Sequence, residues 1–481
     1  MKKYFALVVF IVLAECIGCA PKAVPIGSVA RPNFLLVLTD DQSWVHTGFA
    51  GDPTVKTPSF DAIARSGIYF KQAYTAAPTC TASRSALFSG QAMWRTGEGA
   101  VLWGRYPADL PSYQAILAQH GYLVGFTGKG WGPGQNLMPL PNPAGHPYQH
   151  RGQQHPGSIS KIDHVQSFID FLGDLKPGQP FSFVVTPTEP HRPYPEGAAK
   201  KHGLAVDTVN VPGFLPNTAT VKEDIANYLY AIESQDQMLG EILDVLRKYQ
   251  MLENTIVIVT SDNGMPFPRA KSNLYEYGVR VPLALQWPRK IAAGQQRDAL
   301  VDLTDLAPTF LDLAGVAIPS SFTGHSLHAL FNEDVKAAEW SAVFTGFERH
   351  IKTARPGNQT YPMRAVHTAR YVYIRNFRPE LWPAGDPPRY LDIDEESPTK
   401  LELLADDPTP AIVTALQLAT KKRNADELYD IVQDPFELHN LAGDARYDKV
   451  LQQLKMRLSD ELRRTEDPLL KKGVAAFAIY Q

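Results

Sequence analysis

The sequence predicts an α/β fold with a large, mostly parallel central sheet that is covered by helices. Three β-prone runs are continuously apolar, and each ends in a polar or acidic cluster; they are residues 33–38, 181–185 and 255–260. Continuous apolar strands indicate a parallel sheet buried on both faces, since neither face meets water. Helical patterns separate the runs, and such alternation is typical of α/β proteins.

The helical patterns cover residues 59–66, 83–89, 112–120, 163–172 and 221–249. The longest carries Tyr228, Ile232, Met238 and Leu239 at nearly 3.6-residue spacing, which predicts one buried face. In α/β sheets, functional groups collect at the carboxyl ends of the strands. We therefore expect the site where the polar clusters follow the three strands.

The pattern changes near residue 361. Residues 363–366, 371–376 and 427–430 resemble neighbouring strands, and a helix is predicted over 447–464. With 481 residues, the chain exceeds the size of about 250–300 residues at which a single core usually stops growing. The sequence predicts a larger α/β domain over 33–357, which carries the strand-end polar clusters, and a C-terminal α+β subdomain with an antiparallel sheet over 358–481.

The first residues are typical of an export signal. Lys2 and Lys3 precede an apolar run over 4–14 that is too short to span a bilayer. Residues 17–19 resemble a bacterial lipoprotein cleavage site, which predicts a lipid anchor on Cys19; ordinary signal cleavage is the alternative. We expect a signal peptide over 1–18, a tether over 19–32, and a bacterial protein that is periplasmic or anchored to the outer membrane.

Composition narrows the classes of function. The net charge of −3 lacks the basic excess of a nucleic-acid-binding surface. Cleavage before Cys19 leaves Cys19 and Cys80, and an acylated Cys19 leaves Cys80 without a disulfide partner. Two cysteines alone do not form a zinc cluster. Cys80 is then either a buried, inert thiol or a functional residue.

Two strand ends carry candidate metal ligands: Asp40 and Asp41 after the first apolar run, and Asp262 and Asn263 after the third. Three carboxylates in one place repel one another unless a cation lies between them. Their hard oxygen atoms favour Ca²⁺ or Mg²⁺ over zinc. A helix cap at the first pair and a turn at the second are the alternatives.

Residues 80–84 read Cys-Thr-Ala-Ser-Arg and precede a helical pattern. This motif resembles the signature of the type I, formylglycine-dependent sulfatases, although Ala82 stands where proline is commoner. The resemblance implies an alkaline-phosphatase-like sandwich that hydrolyses sulfate esters or sulfamates. It also implies that a formylglycine-generating maturation enzyme oxidises Cys80 to Cα-formylglycine, whose hydrated aldehyde is the nucleophile.

The resemblance extends over most of the chain and implies roles for single residues. The implied Ca²⁺ ligands are Asp40, Asp41, Cys80, Asp262 and Asn263. The implied catalytic residues are Cys80, Arg84, Lys129, His191 and Lys271. In this scheme Arg84 orients the nucleophile, the lysines contact sulfate oxygens, and His191 donates a proton to the leaving group. Arg269 is an alternative to Lys271.

One position departs from the family. Trp131 stands near the place of a histidine that helps to release sulfate, so the base is unassigned. His146, His150 and His155 are candidates, with solvated surface histidines as the alternative. Trp131 is predicted either to pack or to support a sugar ring. His350 and Arg364 lie in a region that contributes to the sugar pocket in the family, and a structural role is the alternative for His350.

The resemblance also predicts a substrate. Residues 261–275, 361–364 and 427–442 are similar to the heparan N-sulfatases (N-sulfoglucosamine sulfohydrolases), so N-sulfoglucosamine at a non-reducing end is expected. An O-sulfatase acting on an algal or other polysaccharide is the alternative. Phosphodiesterases and phosphonate monoester hydrolases of the same superfamily, or a non-catalytic lipoprotein that binds sulfated glycans, are rival hypotheses from other classes.

Overall fold

The computed structural model describes residues 31–134, 142–152, 160–332, 340–395, 397–477 and 480. The predicted signal peptide, Cys19, most of the tether and His155 lie outside these residues. Arg31–Gln481 forms one compact unit. Among the described residues, no helix has both the length and the apolar character needed to cross a membrane.

Among the described residues, the larger sheet contains nine strands. They are β1 (Asn33–Thr39), β2 (Ile68–Tyr74), β3 (Leu123–Gly128), β4 (His146–Pro147), β5 (Phe181–Thr186), β6 (Thr255–Ser261), β7 (Arg280–Val281), β8 (Leu283–Gln286) and β9 (Gln295–Asp302). Their order is β4-β3-β5-β1-β6-β8-β2-β7, and β9 also pairs with β2. Neighbours from β4 to β6 are parallel, whereas β8 is antiparallel to β6 and to β2. The predicted mostly parallel sheet is confirmed.

Helices flank this sheet and support the smaller one. They are α1 (Pro58–Ser66), α2 (Cys80–Ser89), α3 (Tyr113–Gln119), α4 (His164–Gly173), α5 (Ala198–Lys201), α6 (Ala219–Lys248), α7 (Glu276–Val279), α8 (Leu306–Leu313), α9 (Pro398–Leu403), α10 (Pro410–Thr420), α11 (Asp448–Arg464) and α12 (Pro468–Lys472). The predicted helices agree within a few residues. The helix predicted from residue 83 begins earlier, at Cys80, which matters for the site.

The central strand β1 is buried on both faces. Phe34 and Leu36 belong to the core that includes α3 and α8, whereas Leu35 and Val37 belong to the core that includes α4 and α6. Successive side chains of a strand point to opposite faces, so a strand between two helical layers is apolar at every position. This is why β1 has no alternating pattern.

The smaller sheet is antiparallel, as predicted. Its strands are β10 (Val343–Phe347), β11 (Met363–His367), β12 (Tyr371–Asn376) and β13 (Asp426–Asp430), in that order. One face packs on α11, where Leu458 lies in the same apolar cluster as Val366. Because β10 precedes residue 357, the sheet begins before the boundary expected from the sequence.

Candidate active site

Four adjacent parallel strands, in the order β3-β5-β1-β6, bring their carboxyl ends to one edge of the sheet. Register pairs Thr39 with Ser261 and Gly128 with Thr186. The residues that follow these strand ends are therefore neighbours, as expected for an α/β sheet. This edge collects Asp40, Asp41, Lys129, His191, Asp262 and Asn263.

The acidic centre consists of Asp40, Asp41, Asp262 and the thiol of Cys80. One side-chain atom from each of the four lies within 4.8 Å of the others, and all four residues are buried. The backbone N–H of Asp41 donates to Asp262 Oδ1 at 3.1 Å. Asp41 has φ 73°, a left-handed conformation that turns the chain directly after β1.

Three cations neutralise the carboxylates. Arg84 Nε donates to Asp262 Oδ2 at 2.7 Å, Lys271 Nζ donates to Asp41 Oδ2 at 2.6 Å, and Lys129 pairs with Asp40. Burial opposes ionisation of Asp40, yet the charges of Lys129, His191 and Arg84 hold its pKa well below the ordinary value. Burial and the nearby Asp40 raise the pKa of Asp262 to about 6.

Asn263 shows that this centre fits a hard cation. Its Nδ2 donates to Asp41 Oδ1 at 2.6 Å and to the carbonyl of Gly264 at 3.0 Å, which identifies Oδ1 as the acceptor atom. Oδ1 is buried and has no hydrogen-bond partner among the described residues. A divalent cation would satisfy this oxygen and the three carboxylates, a donor set typical of Ca²⁺ or Mg²⁺.

Cys80 is the first residue of α2, and its Sγ lies 3.5 Å from Asp40 Oδ1. Burial and Asp40 raise the pKa of the thiol well above its ordinary value, which favours the neutral thiol over the thiolate. Arg84 follows one helical turn later, and its Nη1 donates to the carbonyl of Gly130 at 2.8 Å. The helix therefore positions Cys80 and Arg84 against the same acidic centre.

His191 lies beside this centre with a defined tautomer. Its Nδ1 is 2.6 Å from the carbonyl oxygen of Arg192, which can only accept, so Nδ1 carries a hydrogen. Nε2 is 3.8 Å from Asp41 Oδ2. Burial and the charges of Lys271 and Lys129 lower the pKa of His191. A nearby anion would raise it again.

A pocket of about 600 Å³ opens above this edge of the sheet. Its basic end is lined by Cys80, Lys129, His191, Lys271 and His350. His350 Nδ1 hydrogen-bonds Thr79 Oγ1 at 2.7 Å, and burial and Lys271 lower its pKa. The outer wall includes Trp103, Arg389, Asp392, Asp394 and Glu395.

Comparison with known proteins identifies the family to which this sheet and its active-site edge belong. The sulfatase family model matches residues 32–316, more than half of the chain, and contains all the strands that build the site. The chain belongs to the sulfatase family. It is thus an enzyme that hydrolyses sulfate groups. A second family model, N-sulphoglucosamine sulphohydrolase, C-terminal, matches residues 269–416.

Relatives of this sulfatase act on different sulfated saccharides. The N-sulphoglucosamine sulphohydrolase of Homo sapiens is 28% identical over 91% of this chain and 91% of its own. An ulvan-active sulfatase of Formosa agariphila is also 28% identical, over 88% of this chain and 78% of its own. A protein solved in complex with its substrate D-glucosamine-2-N,6-O-disulfate shares the fold, with a TM-score of 0.65, 21% identity, and coverage of 91% and 98%.

Two residues predicted to bind substrate lie elsewhere in this sulfatase. Trp131 is 1% exposed and packs edge-on against Tyr106, with ring centroids 5.6 Å apart. Arg364 is fully buried and pairs with Glu348 and Asp467, each at 2.6 Å. Neither residue is among those that line this pocket. For Trp131 the position fits the packing alternative, and for Arg364 the two buried carboxylates indicate a structural role in place of the predicted substrate contact.

The other candidate residues lie at different distances from the acidic centre. Arg269 donates to the carbonyl of Leu418 and stacks over Tyr275, so Lys271 is the cation that reaches the acidic centre. His146 and His150 are exposed and do not line the pocket. Trp103 also lines the pocket, and its local sequence offers no signal that distinguishes it from other tryptophans in loops.

Proposed function

We propose that this sulfatase is a Ca²⁺- and formylglycine-dependent enzyme that removes sulfate from a sulfated saccharide. The observation that carries the proposal is the position of Cys80, next to three carboxylates and three cations at the base of a sugar-sized pocket. A sulfate group needs neutralisation of its nonbridging oxygens, a strong oxygen nucleophile and a proton for the leaving atom. The charged groups around Cys80 meet these needs.

The modification at position 80 is part of the proposal. An unmodified Cys80 is a buried, neutral thiol, whereas a hydrated aldehyde at this position supplies one oxygen for attack and a second hydroxyl for later expulsion of sulfate. Arg84, buried one turn along α2, is placed to orient that group. Cys80 is thus better explained as a precursor than as a final nucleophile.

The proposed cation is held by Asp40, Asp41, Asp262, Asn263 and the modified residue 80. When bound, Ca²⁺ favours the ionised form of an oxygen ligand and offsets the charge of sulfate. Around it, Lys129 and Lys271 are point charges suited to sulfate oxygens. His191 is the group best placed to protonate the leaving atom, since its Nε2 faces the acidic centre and is not needed for the bond to Arg192.

N-sulfoglucosamine at a non-reducing end is the proposed substrate. The match of residues 269–416 to the N-sulphoglucosamine sulphohydrolase C-terminal model supports it, because this segment includes Lys271 and His350. It also includes Arg389, Asp392, Asp394 and Glu395 of the outer wall of the pocket. The equal identity to an ulvan-active sulfatase favours O-sulfated polysaccharide as the second candidate.

The test uses protein produced together with a formylglycine-generating enzyme. We expect the peptide containing residue 80 to carry an aldehyde by mass spectrometry, and sulfate to be released from N-sulfoglucosamine. Cys80→Ser serves as the inactive control. Release only from O-sulfated sugars would replace the N-sulfate assignment, whereas hydrolysis only of an aryl phosphodiester would overturn the sulfatase mechanism. An unmodified thiol in fully active enzyme would refute the formylglycine.

We also propose that the protein is exported and anchored by a lipid on Cys19. The apolar run after Lys2 and Lys3 and the sequence of residues 17–19 support this. Metabolic labelling with a radioactive fatty acid should mark the wild-type protein and leave Cys19→Ala unlabelled. Labelling of both would show that Cys19 is not the acceptor.

A further inference from the structure

Trp103 is exposed at the wall of the active-site pocket. Its side chain is 41% exposed, although tryptophan is usually among the more buried residues. Cys80 and His350 line the same pocket. A large apolar surface is thus presented to solvent beside the position where sulfate is expected.

The backbone of Trp103 adopts a conformation that bulky residues avoid. Its φ is 59°, in the left-handed region where glycine is the usual residue. Such conformations persist where the surroundings impose them, and they concentrate at functional sites. The cost of this conformation and the exposure of the indole have no explanation in packing alone.

Neighbouring contacts impose this conformation. The N–H of Trp103 donates to Oγ1 of Thr81 at 3.3 Å, and Thr81 is the residue directly after Cys80. The N–H of Leu102 donates to the carbonyl of Arg349 at 3.4 Å, next to His350. Gly104 follows in a turn so close that a Cβ there would lie 1.7 Å from the carbonyl oxygen of Glu98. The backbone that carries the indole is therefore held in place at the edge of the pocket.

We propose that Trp103 is a specificity-determining residue that stacks against the pyranose ring carrying the sulfate. A pyranose presents a face of C–H groups, and the negative face of an indole attracts their positive edge. Arg389 and Glu395, paired at 2.8 Å on the outer wall, offer hydrogen bonds to ring hydroxyls. An apolar wall with a few polar groups is typical of small-ligand pockets.

This inference rests on the proposed function, and different experimental results would contradict the inference and the proposed function. If wild-type enzyme carrying formylglycine releases no sulfate from any sulfated saccharide, the proposed function fails. If wild-type enzyme is active and Trp103→Ala has the same KM, only the role of Trp103 fails. Inorganic sulfate has no sugar ring, so its inhibition constant reports separately on sulfate binding at the basic end of the pocket.

The experiment compares Trp103→Ala and Trp103→Phe with Tyr249→Ala, which removes an aromatic ring of similar exposure, 43%, at the end of α6. For Trp103→Ala we expect KM for the sulfated sugar to rise about three- to tenfold, while the inhibition constant of inorganic sulfate stays unchanged. Trp103→Phe should recover most of the affinity, and Tyr249→Ala should match wild type. Equal KM values for Trp103→Ala and wild type would overturn the proposal, as would an equal loss of sulfate inhibition.

A fourth variant separates stacking from misfolding. Trp103→Gly also removes the ring but suits φ 59°, so its melting temperature should exceed that of Trp103→Ala. Both should share the raised KM. A normal KM in Trp103→Gly would show that backbone strain, and not the indole, determined the effect in Trp103→Ala.

Discussion

Arg192 and Asp224 form a buried, bidentate ion pair directly beside His191, with Nη1–Oδ1 at 2.6 Å and Nη2–Oδ2 at 2.7 Å. The guanidinium also lies over the rings of Tyr194 and Phe267, at 4.8 and 4.7 Å. Asp224 belongs to α6, and the carbonyl of Arg192 accepts the hydrogen bond from His191 Nδ1. The ion pair that fixes Arg192 therefore connects α6 to the orientation of the imidazole.

Arg192→Lys tests this connection. Lysine keeps the charge but cannot make the bidentate pair, so we expect kcat to fall about tenfold or more with little change in KM, since the imidazole loses its orientation. Steady-state kinetics on the sulfated sugar measure both constants. Arg247→Lys, at the exposed pair with Asp244, is the matched control and should behave as wild type. A rise in KM with unchanged kcat would contradict the positioning role.

Asn263→Ala tests the cation site. Removing the Oδ1 ligand should weaken Ca²⁺ binding, so the melting temperature should rise less on addition of Ca²⁺ than in wild type. A ligand at a hundred times its Kd stabilises the folded state by about 2.7 kcal/mol. Calorimetric titration and thermal unfolding with and without a chelator measure this directly. Exposed Asn424→Ala should titrate as wild type, and the same Ca²⁺ affinity in Asn263→Ala would remove Asn263 from the ligand set.

The pH dependence of activity follows from the tautomer of His191. Since Nδ1 carries a hydrogen, Nε2 can donate a proton only when the ring is protonated. The pKa of His191 in the free enzyme lies below the ordinary value of about 6.5. We therefore expect kcat/KM to be highest at acidic pH and to fall as pH rises through that pKa.

His191→Gln should lose this limb of the pH profile and about 10²–10⁴-fold of the rate. His150→Gln, on the surface, should keep the wild-type profile. A value of kcat/KM that increases between pH 5 and pH 7 in the wild-type enzyme would contradict the role of His191 as the acid.

Leu458→Ala tests how firmly α11 holds the smaller sheet. Leu458 is buried in the same apolar cluster as Val366, so the substitution should lower the free energy of unfolding by about 2–5 kcal/mol. Met456, on the same helix, is 59% exposed, and Met456→Ala should change stability by no more than about 0.5 kcal/mol. Denaturant unfolding measures the free energy of unfolding of both variants. Equal effects would show that the face of α11 with Leu458 does not stabilise the core.

The parts of this protein that the sequence predicts well depend on local pattern. The apolar run of β1 and the residues after it predict both a buried strand and the place of Asp40, because strand direction alone brings strand ends together. The parts that it misses depend on distant partners. Arg364 resembles a substrate-binding cation in the sequence, yet Asp467, 103 residues later, holds it in the interior.

The two tryptophans illustrate the same limit. Trp131 and Trp103 both adjoin glycines in loops, and no spacing rule distinguishes them. Trp131 belongs to a large apolar core and packs against Tyr106, whereas Trp103 is exposed and its backbone is held against Thr81. Exposure in each case is set by contacts between loops, which a single sequence does not encode in its local pattern.

The pairing of β1 with β6 has a consequence for how the chain reaches its native state. Asp41 and Asp262 are in contact although they are 221 residues apart in the chain. Contacts that close such long loops form late, because the entropy of closure is lost before the contacts compensate. Until β6 has been synthesised, β1 is an apolar strand with one unpaired edge, which is prone to associate with other chains. A chain released from the ribosome before residue 255 therefore lacks Asp262 of the acidic centre and keeps that unpaired edge of β1 open to other chains.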